Sequence, residues 1–215
     1  MKNFDGIIFD IDGTLTSTNE LIFASFNYVM GKYLNKTLTN SEIISLFGPT
    51  EDVILEEWTG ADYPRAREDY YNFYSENHIM ADLYPGILDI LTFIKSHRIP
   101  LSIFTGKGRE AAIITLKKLR IYNFFDLIIT GDDVNEHKPS PEGILKFIEK
   151  FKLTPHKVLM IGDSPSDIKA SHKAGVKVAS VLWDSYSKEK VLEMNSDYVF
   201  HTVAELQNFL KNNLE

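Results

Sequence analysis

The sequence predicts a doubly wound α/β fold: a parallel sheet with helices on both faces, and an all-helical lobe inserted after the first strand. Three observations carry this expectation. Short β-rich apolar runs alternate with helix-period stretches over most of the 215 residues. The runs are largely apolar at consecutive positions, as in strands buried on both faces. Between about residues 18 and 80 the alternation stops and helix-period patterns follow one another. Alternating strands and helices form a parallel sheet, because each crossover helix returns the chain to the same end of the sheet before the next strand begins.

Five runs read as buried strands: Ile7 to Phe9, Ile99 to Phe104, Leu127 to Thr130, Val158 to Ile161 and Val176 to Leu182. The intervening helices are expected over Ile87 to Ser96, Glu110 to Leu119, Pro141 to Phe151, Asp167 to Ala174 and Val203 to Leu210. Ser140 is a suitable N-cap for the third of these, with Pro141 in its first turn and Glu142 favoured by the positive helix end. In the insert, helical spacing links Leu21, Phe26, Val29, Met30 and Tyr33, then Ile43, Ile44 and Phe47. It also links Val53, Ile54 and Trp58, then Tyr70, Phe73, Tyr74 and Asn77, with Gly48-Pro49 and Gly60 as punctuation. The expected division is residues 1–16 and 83–215 for the α/β core and residues 17–82 for the helical insert.

A chain with 44% hydrophobic and 25% charged residues is an ordinary globular composition. No cysteine is present, which excludes disulfides, a thiolate nucleophile and cysteine-ligated zinc. The net charge of −7 argues against a nucleic-acid partner. Residues 15–84 hold 4 Lys/Arg against 11 Asp/Glu, so the acidic excess belongs to the insert and disfavours long polyanionic substrates. No apolar run reaches the roughly 18 residues of a membrane helix, and the chain enters a strand at Ile7 without a leader-like segment. A cytoplasmic protein without a membrane partner, monomeric or homodimeric, is the expectation.

Four stations carry chemistry, each at the carboxyl end of an expected strand, where open α/β sheets place their ligand crevice. The first is Asp10-Ile11-Asp12-Gly13-Thr14. Carboxylates two apart on extended chain point the same way, and a hard divalent cation, Mg²⁺ best of all, relieves their repulsion. Alone, the pair is equally an Asx turn closing a strand. The second is Gly162-Asp163-Ser164-Pro165-Ser166-Asp167, in which Asp163 leaves a buried strand and Asp167 falls in the first helical turn. An acidic residue is favourable at that helix end without any function. The third is Thr105-Gly106-Lys107-Gly108, a hydroxyl followed by backbone amides that can form an anion nest, or a flexible turn. The fourth is Lys138, between His137 and Pro139, a rigidly held ammonium or a solvated loop lysine.

Together, in this order, the four stations resemble the haloacid dehalogenase superfamily, over essentially the whole chain. The resemblance implies a Rossmann-like core with a helical cap, similar to the branch of phosphoglycolate phosphatases, cap-bearing pyrophosphatases and β-phosphoglucomutases. It implies a magnesium-dependent phosphatase acting on a small phosphorylated metabolite, with Asp10 as nucleophile and Asp12 as general acid and base. It further implies Mg²⁺ on Asp10, the backbone carbonyl of Asp12 and Asp163, with Asp167 ligating through water or orienting Asp163. Thr105 and Lys138 would hold the phosphoryl oxygens, beside the amides of Gly106 and Lys107. An acid at Asp12 argues against dehalogenation.

Many relatives carry Asn where this chain has Gly106, which leaves a backbone amide there and no side-chain contact. Thr50, Lys32, Arg65 and Arg67 are candidate cap contacts, although an ordinary surface residue is the favoured reading of each. The six histidines show no paired ligand spacing, and Trp58 and Trp183 are expected to pack. Inorganic pyrophosphatase and sugar phosphomutase activities are the enzymatic alternatives. A phospho-acceptor or non-catalytic binding domain is the alternative of another class.

Overall fold

Six short parallel strands form the sheet in the order β3-β2-β1-β4-β5-β6, in a computed structural model that describes residues 2–214. The strands are β1 (Gly6–Phe9), β2 (Leu101–Phe104), β3 (Leu127–Ile129), β4 (Val158–Gly162), β5 (Lys177–Val181) and β6 (Tyr198–Phe200). β1 lies between β2 and β4, with Ile7 opposite both Leu101 and Leu159. The chain winds outward from β1 in both directions, the doubly wound arrangement that the sequence predicts.

Helices α1 (Asn19–Leu34), α2 (Asn40–Ile44), α3 (Glu51–Thr59) and α4 (Tyr63–Glu76) follow β1. Then come α5 (Ile87–Ser96), α6 (Arg109–Lys118), α7 (Glu142–Phe151), α8 (Pro165–Ala174), α9 (Lys188–Leu192) and α10 (Val203–Leu214). Side-chain alternation along β1 shows how the two layers form. Ile7 and Phe9 join Ile90 and Ile94 of α5, Leu116 of α6 and Leu206 of α10 on one face. Ile8 joins Ile144 and Phe147 of α7 and Ala170 of α8 on the other. Each of these fully buried Ile, Leu and Phe side chains stabilises the fold by about 1.5–3 kcal/mol relative to exposure.

α1 to α4 surround a core of their own, built on Leu21, Phe26, Val29, Leu55, Tyr70 and Tyr74. Trp58 packs edge-on against Phe26 there, and Trp183 packs against Tyr84 in the sheet domain. α6 serves both bodies: Ala112 and Leu116 face the sheet, whereas Ala111 joins the lobe. The chain enters and leaves the lobe by two segments that hold each other. Ser17 N–H donates to Asp82 O at 2.9 Å and Tyr84 N–H to Leu15 O at 3.1 Å.

Several element ends differ from expectation for local reasons. Pro141 rather than Ser140 caps α7, while the Ser140 hydroxyl accepts the Glu142 N–H at 3.4 Å. α8 begins at Pro165 because Ser164 and Asp167 form a reciprocal capping box. β6 and α9 have no counterpart among the expected elements, and both are very short. β6 is a three-residue edge strand after Ser196-Asp197, and it pairs with β5 alone. Among the described residues no helix is long and apolar enough to cross a membrane.

Candidate active site

Asp10, Thr105 and Asp163 each stand one residue beyond the carboxyl end of a strand, β1, β2 and β4 respectively, on one rim of the sheet. The ladder continues into the site: Asp10 N–H donates to Ile161 O at 2.9 Å, and Thr105 N–H to Ile129 O at 3.1 Å. Two glycines let the acidic segments approach. Gly13 adopts a left-handed φ of +74°, and a Cβ there would lie 2.6 Å from Asp163 Oδ2. A Cβ on Gly162 would lie 2.4 Å from Asp167 Cγ.

Asp10, Asp163 and Asp167 each present a carboxylate oxygen, and these atoms lie within 4.8 Å of one another. Lys138 reaches into the cluster, with Nζ 3.0 Å from Asp10 Oδ1, 2.6 Å from Asp167 Oδ1 and 3.3 Å from Phe104 O. Asp167 is held by its own helix cap, accepting from Ser164 N–H at 3.1 Å and from the Ser164 hydroxyl at 2.6 Å. Asp163 meets the Thr14 hydroxyl at 3.4 Å.

Burial raises the Asp10 pKa to about 6, with Lys138 opposing the rise and Asp167 and Asp12 adding to it. Burial first, and then Asp10 and Asp167, drive Asp163 well above the usual carboxylate range. Burial disfavours the Lys138 ammonium, but Asp10 and Asp167 outweigh it and keep the group charged. When ionised, these three clustered carboxylates facing one ammonium carry an excess of negative charge, and burial of that charge raises the pKa values of Asp10 and Asp163. An all-oxygen donor set with that excess fits a hard divalent cation such as Mg²⁺.

The Asp12 side chain stands apart from that cluster. Its carboxylate accepts from the Thr18 hydroxyl and lies 3.2 and 3.3 Å from Lys107 Nζ, which leaves the backbone carbonyl as its possible contribution to a metal. Lys107 is therefore more than a backbone amide. Its ammonium is buried between Asp12 and Glu51, the latter 3.5 Å away, and lies 5.1 Å from the Tyr74 ring centre. The expected anion nest is correspondingly altered: Lys107 N–H donates to Thr105 Oγ1 at 3.3 Å, and Gly108 N–H to Glu51 Oε2 at 2.6 Å. Gly106 lines the cavity with its backbone, as its lack of a side chain requires.

Glu51 is a site residue that sequence reading missed, since an acidic residue in a first helical turn is common without function. Its neighbour Thr50, the expected cap contact, is buried behind the cavity wall, with its methyl against Gly131. The reason is local: Thr50 is the N-cap of α3 with extended backbone (φ −73°, ψ 161°), whereas Glu51 is the first helical residue, so the two side chains leave in different directions. Lys32 pairs with Asp69, and Arg67 with Asp52 and Glu110. Arg65 is exposed, and none of the three lines the cavity.

The cavity between sheet rim and lobe has a volume of about 460 Å³. Asp10, Asp12, Thr105, Lys107, Lys138 and Asp163 line its floor, whereas Asn19, Ile22, Phe26, Ile44, Phe47, Pro49, Glu51 and Ile54 line the lobe side. Ser166, Lys169, Tyr186 and Ser187 contribute to its lining as well.

A doubly wound sheet with this acidic rim and helical lobe defines a class of hydrolase, and comparison with known proteins agrees. The model of the haloacid dehalogenase-like hydrolase family matches residues 7–181. The pyrophosphatase PpaX of Bacillus pumilus is 32% identical over 205 residues, covering 93% of each chain. A predicted phosphoglycolate phosphatase from Haemophilus somnus superposes with a TM-score of 0.84 over 97% of this chain and 99% of its own. At 23% identity it shows the fold alone. A haloacid dehalogenase-like family hydrolase from Streptococcus pneumoniae is 25% identical with a TM-score of 0.78, covering 98% of this chain and 100% of its own. The chain belongs to the haloacid dehalogenase-like hydrolase family.

Proposed function

We propose that this protein is a magnesium-dependent phosphohydrolase that cleaves a small phosphorylated metabolite through an aspartyl-phosphate on Asp10, with residues 17–82 acting as a cap over a core of residues 1–16 and 83–215. The observation that carries the reading is the cluster of Asp10, Asp163 and Asp167 around Lys138 at the carboxyl ends of β1 and β4. Magnesium held by Asp10, Asp163, Asp167 and the Asp12 carbonyl would supply positive charge against the phosphoryl oxygens and favour ionised Asp10.

The residues then divide the work. A carboxylate oxygen of Asp10 attacks phosphorus, and the bond from phosphorus to the leaving oxygen breaks. Asp12 gives its proton to that oxygen. In the second half-reaction Asp12 takes a proton from water, the water oxygen bonds to phosphorus, and the bond to Asp10 breaks. Lys138 keeps Asp10 charged and offsets the phosphoryl charge. The Thr105 hydroxyl accepts from Lys107 N–H, so its own proton is available to a phosphoryl oxygen. Lys107 and Thr18 orient Asp12 towards the reacting oxygen.

Relatives named pyrophosphatase support inorganic pyrophosphate as the competing substrate. A phosphate-release assay over phosphomonoesters and pyrophosphate, with Mg²⁺ and with EDTA, tests the reading. Metal-dependent release that is lost in Asp10→Asn is expected. Release from none of these substrates, or full activity in Asp10→Asn, would overturn it.

A further inference from the structure

We propose that the cavity selects phosphomonoesters whose leaving alcohol has an uncharged, apolar body, and discriminates against leaving groups that carry a second anion. The inference rests on the phosphohydrolase reading of the same site and concerns the space beyond the phosphoryl group.

Apart from Asn19 and Glu51, the lobe side of the cavity is built from Ile22, Phe26, Ile44, Phe47, Pro49 and Ile54, side chains with no hydrogen-bonding capacity. The charged side chain that the lobe adds to the cavity lining is an anion, Glu51, already engaged by Gly108 N–H and Lys107. The two lysines of the floor are each shared by two carboxylates: Lys107 by Asp12 and Glu51, and Lys138 by Asp10 and Asp167. The lobe's own cations, Lys32, Lys36, Arg65 and Arg67, are absent from the lining. Lys169 of α8 is exposed, and it belongs to the sheet domain rather than the lobe.

A second phosphoryl group or a carboxylate would therefore lose its hydration against hydrocarbon and beside Glu51 without gaining a cation from the lobe. An alkyl or aryl group gains from the same wall. Burial of one methylene is worth a factor of about four in an equilibrium or rate ratio.

The test is kcat/KM for ethyl, butyl, hexyl and phenyl phosphates against 2-phosphoglycolate and pyrophosphate, all with Mg²⁺. The expected result is a rise of up to about fourfold per methylene until the wall is filled. Pyrophosphate and phosphoglycolate should fall at least about tenfold below phenyl phosphate, the loss of one desolvated anion being worth that or more. Ile44→Arg, a half-buried position at the end of α2, should narrow or invert that ratio by giving the wall a cation. A flat alkyl series, or a wild-type preference for pyrophosphate or phosphoglycolate, would overturn the proposal.

Calorimetric binding of phenylphosphonate and phosphonoacetate to the Mg²⁺-loaded protein measures the same preference without turnover. Tighter phenylphosphonate is expected, and equal or tighter phosphonoacetate would overturn the proposal. Absence of turnover with this binding preference intact would count against hydrolysis and not against the selectivity.

Discussion

Lys107 and Glu51 meet across the boundary between sheet domain and lobe, 3.5 Å apart, with Lys107 also 3.2 Å from Asp12. The Lys107 side chain is 1% exposed. Burial alone would favour loss of its proton, but Asp12, Tyr74 and Glu51 outweigh that and hold its pKa well above the ordinary lysine value. One buried ammonium thus joins the proposed acid of the core to the first turn of a lobe helix.

Removing that ammonium strands two carboxylates. Lys107→Met is expected to cost about 3–5 kcal/mol of stability, the usual penalty for breaking a buried pair from one side. It should also lower kcat by at least about tenfold, because Asp12 loses its orienting partner. Glu51→Gln can still accept the Gly108 N–H and should be milder on both counts. Urea unfolding and steady-state kinetics read the two effects, and an unchanged kcat in Lys107→Met would remove the lysine from the mechanism.

Asp12→Asn keeps the shape of the side chain but cannot shuttle a proton. Its kcat should fall by about 10²–10⁴, the usual contribution of general acid–base catalysis. The phosphate ester of a good leaving group, which needs little protonation, should suffer least in the first half-reaction. Rapid-quench detection of phosphoprotein with such a substrate checks this, and a wild-type rate in Asp12→Asn would exclude the role.

The carboxylate cluster has a pH signature in metal-free protein. Asp10 has its folded pKa raised from 3.8 to about 6, so the folded state holds this proton more tightly than the unfolded chain. The stabilising effect is fully present below 3.8 and is lost as pH rises through about 6. In EDTA, the stability of Asp10→Asn relative to wild type should therefore grow as pH rises across that window. Thermal unfolding at several pH values measures the difference, and a pH-independent gap would contradict the assignment. With Mg²⁺ present, proton competition should weaken binding by roughly tenfold per unit below the same pKa.

Asp163→Asn removes the carboxylate that Asp10 and Asp167 repel and Lys138 does not directly contact. The variant should be more stable than wild type in EDTA and should show no rise in Tm with Mg²⁺. Differential scanning calorimetry with and without metal separates the two effects. A full Mg²⁺-induced shift in the variant would dismiss Asp163 as a ligand.

Gly13→Ala tests the close approach of the acidic segments. A non-glycine residue in the left-handed region costs roughly 1–2 kcal/mol. The added methyl would also lie 2.6 Å from Asp163 Oδ2, so Mg²⁺ affinity should fall beyond what the stability change explains. Unaltered affinity by calorimetric titration would show that Asp163 can move without consequence.

The doubly wound parallel sheet and the places of Asp10, Thr105 and Asp163 at strand ends were legible in the sequence, because each side chain follows on a buried apolar run; the order of the strands was not. Such a run specifies strand and direction locally, and a parallel sheet then gathers the carboxyl ends on one rim. Two short peripheral elements escaped this logic: β6 and α9 are too brief to show a period. Residue order also revealed a helical insert and its acidic surplus. Folding alone selected Glu51 over Thr50, turned Lys107 from a backbone donor into a buried ion-pair partner, and faced the cavity with Ile22, Phe26 and Ile54. These outcomes depend on how the lobe docks against the rim, a relation between distant segments that no local pattern of side chains encodes.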